Sequence, residues 1–130
     1  MITVLIPQNP DFKKYETQIK ELYEKSQKQI NDPNSFSFIK NNTFFYAFLL
    51  NGKFIGAIYY FMENNKLFLN GFAIPKNHNT NLHCLLLSTT WFKPSIYAEA
   101  QNRASALCLL KCGFKRLHSN LFCLKREHEK

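Results

Sequence analysis

The sequence predicts a single α+β domain over residues 1–130, with a central, mostly antiparallel mixed sheet of six to seven strands flanked by three to four helices. Three observations predict this class. Two β-prone runs meet at Asn51-Gly52, a strong short-range hairpin signal. The segment from Asp11 to Ile30 places apolar residues at helical spacing. Strand-like and helix-like segments then alternate to the end of the chain, as in a layered sheet-and-helix domain.

The first half of the chain predicts a strand, a helix and a three-strand meander. Ile2–Ile6 is the first strand, and "DFKKYETQIKELYEKSQKQI" is an amphipathic helix with Asp11 as its predicted cap. "NDPNSFSFIKNN" is predicted as a turn-rich connection. The meander runs through "TFFYAFLLNGKFIGAIYYF", a turn at "MENNK" and "LFLNGFAIP".

The second half predicts a helix, a strand, a second helix and one or two final strands. Pro75 ends the meander, and the polar loop "KNHNT" leads to an apolar helix from about Asn81 to Trp91. "SIYAEA" is a strand, and "NRASALCLLKCGF" is a short helix that Asn102 caps and Gly113 ends as a left-handed residue. "FKRLHSNLFCLKRE" supplies the last strand or strands.

Charge and composition narrow the function classes. The net charge of +8 attracts anions, which include nucleic acid, a membrane surface and phosphorylated small molecules. No segment approaches the roughly 18 apolar residues of a membrane helix, and the opening "MITVLIPQNP" lacks the basic region of a signal peptide, so we expect a cytoplasmic protein without membrane association. The four cysteines lack paired CxxC spacing, which predicts reduced, buried thiols and no metal site.

Two local patterns and the order of elements resemble the GNAT superfamily of acyl-CoA-dependent N-acetyltransferases. "FAIPKNHNTNLHCLLL" stands where the family has a strand ending near a proline, a basic glycine-rich loop and a helix aimed at the pyrophosphate of coenzyme A. "IYAEAQNRASALCLLKCGF" matches the later family pattern of strand, Asn, helix, Lys, one residue and Gly-Phe. The resemblance covers nearly the whole chain.

The resemblance implies a GNAT-like fold, acetyl-CoA as cofactor and a set of cofactor-binding residues. The backbone of Phe72, Ala73 and Ile74 would pair with the pantetheine amides, and the start of the following helix would hold the pyrophosphate. His78 replaces the usual basic residue, whereas Asn79, Asn81 and His83 occupy positions usually held by glycine; we expect the two asparagines to take left-handed conformations. The implied cofactor-binding residues are Phe72, Ala73, Ile74, His78, Asn79, Thr80, Asn81, Leu82, His83, Asn102, Ser105 and Lys111.

The resemblance also indicates where catalytic groups would lie. Many members use a tyrosine two residues before the Lys as the acid that reprotonates the leaving thiolate, and here that position is Leu109. Glu99 is the carboxylate expected near the cleft, and Asn70 or Tyr97 would hold a water that takes the proton. The acceptor would be a small-molecule or peptide amine.

Alternatives remain open at this point. Leu109 and the glycine-free loop also suit a catalytically inactive GNAT-fold module that binds a protein or nucleic-acid partner. Direct nucleic-acid binding rests on the net charge alone and is not favoured. The sequence is compatible with a monomer or a homodimer.

Overall fold

The computed structural model describes residues 1–30 and 33–126, of which Gln29 and Ile30 are described by their backbone alone. These residues divide into two compact units. Unit 1 comprises Met1–Tyr59 and Gly71–Asn81, and unit 2 comprises Tyr60–Asn70 and the residues from Leu82 onward. A single domain over residues 1–130 stays a prediction.

Within the described residues, seven strands form one sheet in the order β1-β2-β3-β4-β5-β7-β6. The pairing of β4 with β5 is parallel, and the pairings β1 with β2, β5 with β7 and β6 with β7 are antiparallel. This mixed sheet with four α-helices confirms the predicted fold class. The elements are β1 (Ile2–Leu5), α1 (Glu16–Ile30), α2 (Phe36–Asn42), β2 (Phe44–Leu50), β3 (Lys53–Glu63), β4 (Lys66–Ala73), α3 (His78–Thr89), β5 (Ile96–Glu99), α4 (Arg103–Lys111), β6 (Lys115–His118) and β7 (Leu121–Leu124).

Two tight turns join the strands of the meander as the sequence predicts. Asn51 and Gly52 have φ angles of 50° and 81°, and Asn64 and Asn65 have φ angles of 51° and 63°. Left-handed conformations at both central residues match the right-handed twist of the flanking strands, and Asn and Gly adopt them at low cost. The turns therefore fix the pairing of β2 with β3 and of β3 with β4.

The helical part of unit 1 differs from its prediction at two places. The predicted cap Asp11 is wrong: Asn9 accepts the hydrogen bond from the Asp11 backbone N–H and caps a 3-10 turn at Pro10–Lys14, and α1 begins only at Glu16. The second half of the predicted connection forms α2, because the Ser35 hydroxyl accepts from the Phe38 N–H. Asn31 and Asp32 lie outside the described residues.

Aromatic side chains dominate the core of unit 1. Tyr23 of α1 contacts Phe72 of β4 with ring centroids 5.5 Å apart, and Phe45 of β2 stacks on Tyr59 of β3 at 6.1 Å. Such pairs add to the stabilisation from area burial alone. The Tyr23 hydroxyl donates to the carbonyl of Asn34, so its burial costs no unpaired polar group.

In unit 2, the later part of α3 packs on the face of the sheet that carries Tyr60. The Tyr60 hydroxyl and the Ser88 hydroxyl are 2.7 Å apart, and the Tyr60 ring lies 4.2 Å from that of Phe92. Arg126, just after β7, donates from its guanidinium to the carbonyls of Thr89, Phe92 and Pro94. The predicted final strand or strands are the two strands β6 and β7, which turn at Ser119 with φ 46°. No helix in the described ranges combines the length and the apolar character needed to span a membrane.

Candidate functional site

The segment that joins β4 to α3 is the first part of the candidate site, and it is more helical than predicted. Pro75–Asn77 forms a 3-10 turn, and α3 begins at His78 rather than near Asn81. The prediction of a polar loop over residues 76–80 is therefore wrong. No acidic residue lies in the first turn of α3, and Lys76, His78 and Asn79 are exposed beside it.

The Asn81 side chain is hydrogen-bonded to the backbone of this segment. Its side-chain amide donates to the backbone carbonyls of Asn77 at 3.0 Å and Ile74 at 3.4 Å. Asn81 and Asn79 are helical, and neither has a positive φ, so the prediction of left-handed asparagines is wrong. The physical reason is that the Asn81 amide satisfies carbonyls of the preceding turn, which favours continuing the helix over a left-handed loop.

Gly56 of β3 makes room for this amide. A Cβ at position 56 would lie 2.6 Å from Asn81 Oδ1, 3.0 Å from the Phe72 carbonyl oxygen and 3.2 Å from Ala73 Cα. Only glycine allows the strand backbone and the amide to approach this closely. Sequence reasoning missed Gly56, because its partner lies 25 residues away in the chain (81 minus 56).

The backbone at the end of β4 presents fewer groups than predicted. The Ile74 N–H donates to the Ile55 carbonyl at 2.9 Å, and the Ile74 carbonyl accepts from the Asn77 N–H at 3.0 Å. The binding of a ligand by the Ile74 backbone stays a prediction, and both of its backbone groups already have partners within the chain. Strand alternation directs the N–H and C=O of the neighbouring residue, the exposed Ala73, away from β3. Phe72 contributes a buried ring.

The residues predicted in the first two turns of α3 differ in exposure. Thr80, Asn81 and Leu82 are half-buried, and His83 is exposed. The paired leucines Leu86 and Leu87 of α3 are also exposed.

In unit 2, the N-terminus of α4 is closed by a reciprocal capping box. The Asn102 side chain accepts from the Ser105 N–H at 2.8 Å, and the Ser105 hydroxyl oxygen accepts from the Asn102 N–H at 3.1 Å. Lys111 is exposed in the last turn, and Gly113 follows with φ 93°. The cap and the left-handed glycine confirm the local predictions, and both polar side chains at the N-terminus take part in the cap.

Leu109 of α4 is buried, with 6% of its surface exposed. The position at which the resemblance implies a tyrosine that acts as an acid therefore holds an apolar side chain inside unit 2. It contributes packing and no titratable group.

The three predicted catalytic residues share one face of β4 and β5. The parallel ladder places Phe68 opposite Tyr97, and Asn70 and Glu99 each lie two residues further along on the same face. Tyr97 and Asn70 are half-buried, whereas Glu99 is exposed. The structure thus places these residues on neighbouring strands of unit 2, where the pairing of β4 with β5 ends at Phe68 and Tyr97.

The cysteines show no feature of a reactive or metal-binding site. All four are free thiols, and Cys84, Cys112 and Cys123 are buried. Burial raises the pKa of the Cys84 and Cys112 thiols to about 11, so both are protonated at neutral pH. The described residues contain no cluster of His, Cys, Asp and Glu that could hold a metal ion.

Comparisons with solved structures find acetyltransferases over almost the whole chain. The Bacillus subtilis N-acetyltransferase YlbP in complex with coenzyme A is 18% identical with a TM-score of 0.59, and the match covers 98% of each chain. The aminoglycoside acetyltransferase AAC(6')-Ib in complex with coenzyme A is 14% identical with a TM-score of 0.61, covering 98% of this chain and 96% of that one. A GNAT family acetyltransferase from Brucella melitensis in complex with acetyl-CoA is 11% identical with a TM-score of 0.55, covering 96% and 88%. No protein-family model matches the sequence, and no curated protein matches it.

Proposed function

We propose that this chain, which has the fold of the GNAT N-acetyltransferases, transfers an acetyl group from acetyl-CoA to a primary amine in a ternary complex. The observation that carries the proposal is the passage from β4 through Pro75 into α3. It stands in a chain whose fold matches coenzyme A-bound acetyltransferases over at least 96% of its length.

The start of α3 is the proposed pyrophosphate site. A helix N-terminus carries a partial positive charge that suits an anion, and at α3 the N–H groups beyond His78 are the ones to consider, because the His78 N–H donates to the Pro75 carbonyl. The first turn supports this use because it contains no acidic residue and because Lys76 and His78 are exposed beside it. Ala73, whose backbone points away from β3, is the residue proposed to pair with the pantetheine arm.

The proposed reaction needs few protein groups. Acetyl-CoA supplies the thioester, whose carbonyl carbon the amine nitrogen attacks; the C–N bond forms, the C–S bond breaks and the thiolate leaves. Glu99 is proposed to take the amine proton, directly or through a water held by Asn70 or Tyr97. Because Leu109 has no proton to give, the thiolate would be protonated from solvent.

A second candidate is a GNAT-fold module that binds a partner without catalysis. The buried Leu109 favours it, since unit 2 carries an apolar side chain at the position of the usual acid. Monomer or homodimer, and the cytoplasmic location, stay predictions. The two functions differ in whether a thioester is consumed.

Calorimetric titration of acetyl-CoA tests the cofactor site. We expect micromolar binding at one site, weaker binding of coenzyme A without its 3′-phosphate, and at least fivefold weaker binding of acetyl-CoA to the Asn79→Asp variant. A carboxylate there stabilises a helix N-terminus but repels pyrophosphate, so the thermal midpoint should hold while affinity falls. Asn120→Asp, an exposed change in the β6–β7 turn, is the matched charge control. Equal weakening by both variants would reject the α3 site.

Release of free thiol with a panel of primary amines tests the chemistry. General-base help is typically worth about 10²–10⁴-fold, so we expect Glu99→Gln to lower kcat by about 10²-fold. Glu24→Gln, at an exposed position of α1, should leave kcat unchanged. Tight acetyl-CoA binding without turnover of any amine would favour the inactive module.

A further inference from the structure

A row of three aromatic side chains crosses the strands β3, β4 and β5 of unit 2. Phe61 and Phe68 are nearly parallel, with ring centroids 5.8 Å apart and planes at 15°, and Tyr97 follows at 5.7 Å from Phe68. All three are half-buried, on the face opposite Tyr60 and Ile96. We call this set the aromatic row. It is an apolar surface of adjacent rings, in which Tyr97 is tilted by 39° from Phe68, and it can pack against a planar ring.

Lys66 places a positive charge at one end of the aromatic row. Its Nζ lies 5.1 Å from the centroid of the Tyr97 ring. Glu63 lies across the Asn64-Asn65 turn from Lys66, but the ion pairs within the described residues are only Lys14 with Asp11 and Lys40 with Glu16, so Lys66 forms no ion pair there. Its ammonium therefore leans over the row with donors available to an anion.

The other end of the aromatic row carries the proposed catalytic groups. Asn70 lies two residues beyond Phe68, and the exposed carboxylate Glu99 lies two residues beyond Tyr97 on the same face. At about 3.3 Å per residue, Lys66 and Asn70 are about 13 Å apart along β4, with the row midway. Lys66 with the exposed Glu63 across the turn at one end, an apolar middle, and Asn70 with Glu99 at the other end thus follow one another.

We propose that the acceptor is an aromatic primary amine that carries an anionic group on the far side of its ring. The ring would stack on the aromatic row, the anion would pair with Lys66, and the ammonium would be drawn to Glu99 before it loses its proton. This inference rests on the proposed acetyl transfer. It adds the class of acceptor, which the rings and Lys66 select together, because a simple alkyl amine would use neither of them.

Calorimetry with three probes tests the inference, both with and without saturating coenzyme A and at constant ionic strength. O-phosphotyramine has the amine, ring and anion; tyramine lacks the anion; butylamine lacks both ring and anion. We expect O-phosphotyramine to bind about fivefold more tightly than tyramine, as one exposed ion pair allows, and butylamine to bind more weakly than either.

Matched variants separate the contributions of charge and ring. Lys66→Gln should abolish the difference between O-phosphotyramine and tyramine, whereas Lys53→Gln, an exposed lysine at the start of β3, should preserve it. Phe68→Leu should weaken both aromatic probes about equally, and Phe44→Leu, at an exposed phenylalanine of β2, should not. Thermal melting checks that each variant is folded.

The outcomes distinguish this inference from the proposed function. Equal affinity of the native chain for O-phosphotyramine and tyramine, or the same loss in the Lys66 and Lys53 variants, would overturn the inference even if acetyl-CoA binds and is consumed. Selective, Lys66-dependent binding of O-phosphotyramine in a chain that binds no acetyl-CoA would uphold the ligand site and reject the transferase.

Discussion

Replacing Gly56 by alanine should disrupt the junction of β4 and α3. The new Cβ would meet the Phe72 carbonyl oxygen at 3.0 Å and Ala73 Cα at 3.2 Å, and backbone atoms of a paired strand cannot retreat easily. It would also lie 2.6 Å from Asn81 Oδ1, so the amide must leave its position. Overpacking of this kind costs about 1–3 kcal/mol, which lowers the thermal midpoint by about 4–12 °C for a chain of this size.

A double-mutant cycle identifies the source of this cost. Asn81→Ala alone should cost about 1 kcal/mol, because the Asn77 and Ile74 carbonyls lose their amide donor. In the Gly56→Ala background that amide is already displaced, so the second substitution should cost almost nothing. The coupling, about 1 kcal/mol, is measurable by urea unfolding followed by circular dichroism.

Gly71→Ala is the matched control. A Cβ there would lie 3.0 Å from the Ala57 carbonyl oxygen and 3.4 Å from Ile58 Cγ1, but it would meet no atom of Asn81. Its cost should therefore add to that of Asn81→Ala within about 0.5 kcal/mol. The close approach would be refuted if Gly56→Ala left the free energy of unfolding unchanged. It would also be refuted if the costs of Gly56→Ala and Asn81→Ala added as fully as those of Gly71→Ala and Asn81→Ala.

Four further experiments test the packing of unit 2. Burial raises the pKa of Cys84 and Cys112 from 9.0 to about 11, so these thiols ionise first in the unfolded state. The free energy of unfolding should therefore fall as the pH rises from about 9 to 11. Urea melts of Cys84→Ala should show a shallower fall. Iodoacetamide should label the partly exposed Cys108 first, as peptide mass mapping would show. Asn102→Ala should cost about 1 kcal/mol in urea melts through loss of the α4 cap, and an unchanged free energy would argue against the capping box. Arg126→Ala should cost about 2 kcal/mol and Arg126→Lys less, because lysine keeps the charge without the guanidinium fork to three carbonyls; equal losses would contradict this.

Local signals predicted most of the fold. Both meander turns and the ends of α4 follow from the residue types at Asn51-Gly52, Asn64-Asn65, Asn102 and Gly113, whose backbone preferences act within a few residues. A turn-rich connection was predicted where α2 forms, because the polar residues around Ser35 suit a turn as well as a helix cap.

The candidate site was harder to predict because its geometry depends on contacts between distant residues. Nothing near Gly56 in the sequence indicates that the amide of Asn81 lies against it. The resemblance implied one site for Asn70, Tyr97 and Glu99. Strand alternation from the paired residues Phe68 and Tyr97 puts all three on one face. The aromatic row depends on strand register, which residue type alone does not specify.

Position 81 holds asparagine where the family pattern has glycine, and this difference changes how the chain would hold a pyrophosphate. In the family pattern, glycines let the loop backbone approach the phosphates. In this chain α3 already begins at His78, and the Asn81 amide turns inward to the Asn77 carbonyl. The small residue is then required at Gly56 of β3, against which the amide packs. Phosphate binding would then depend on the helix N-terminus and on the exposed Lys76 and His78 rather than on a glycine loop. Salt screens exposed charges, so the affinity for acetyl-CoA should fall as the ionic strength rises. The fall should be steeper than at a site where backbone N–H groups alone hold the pyrophosphate.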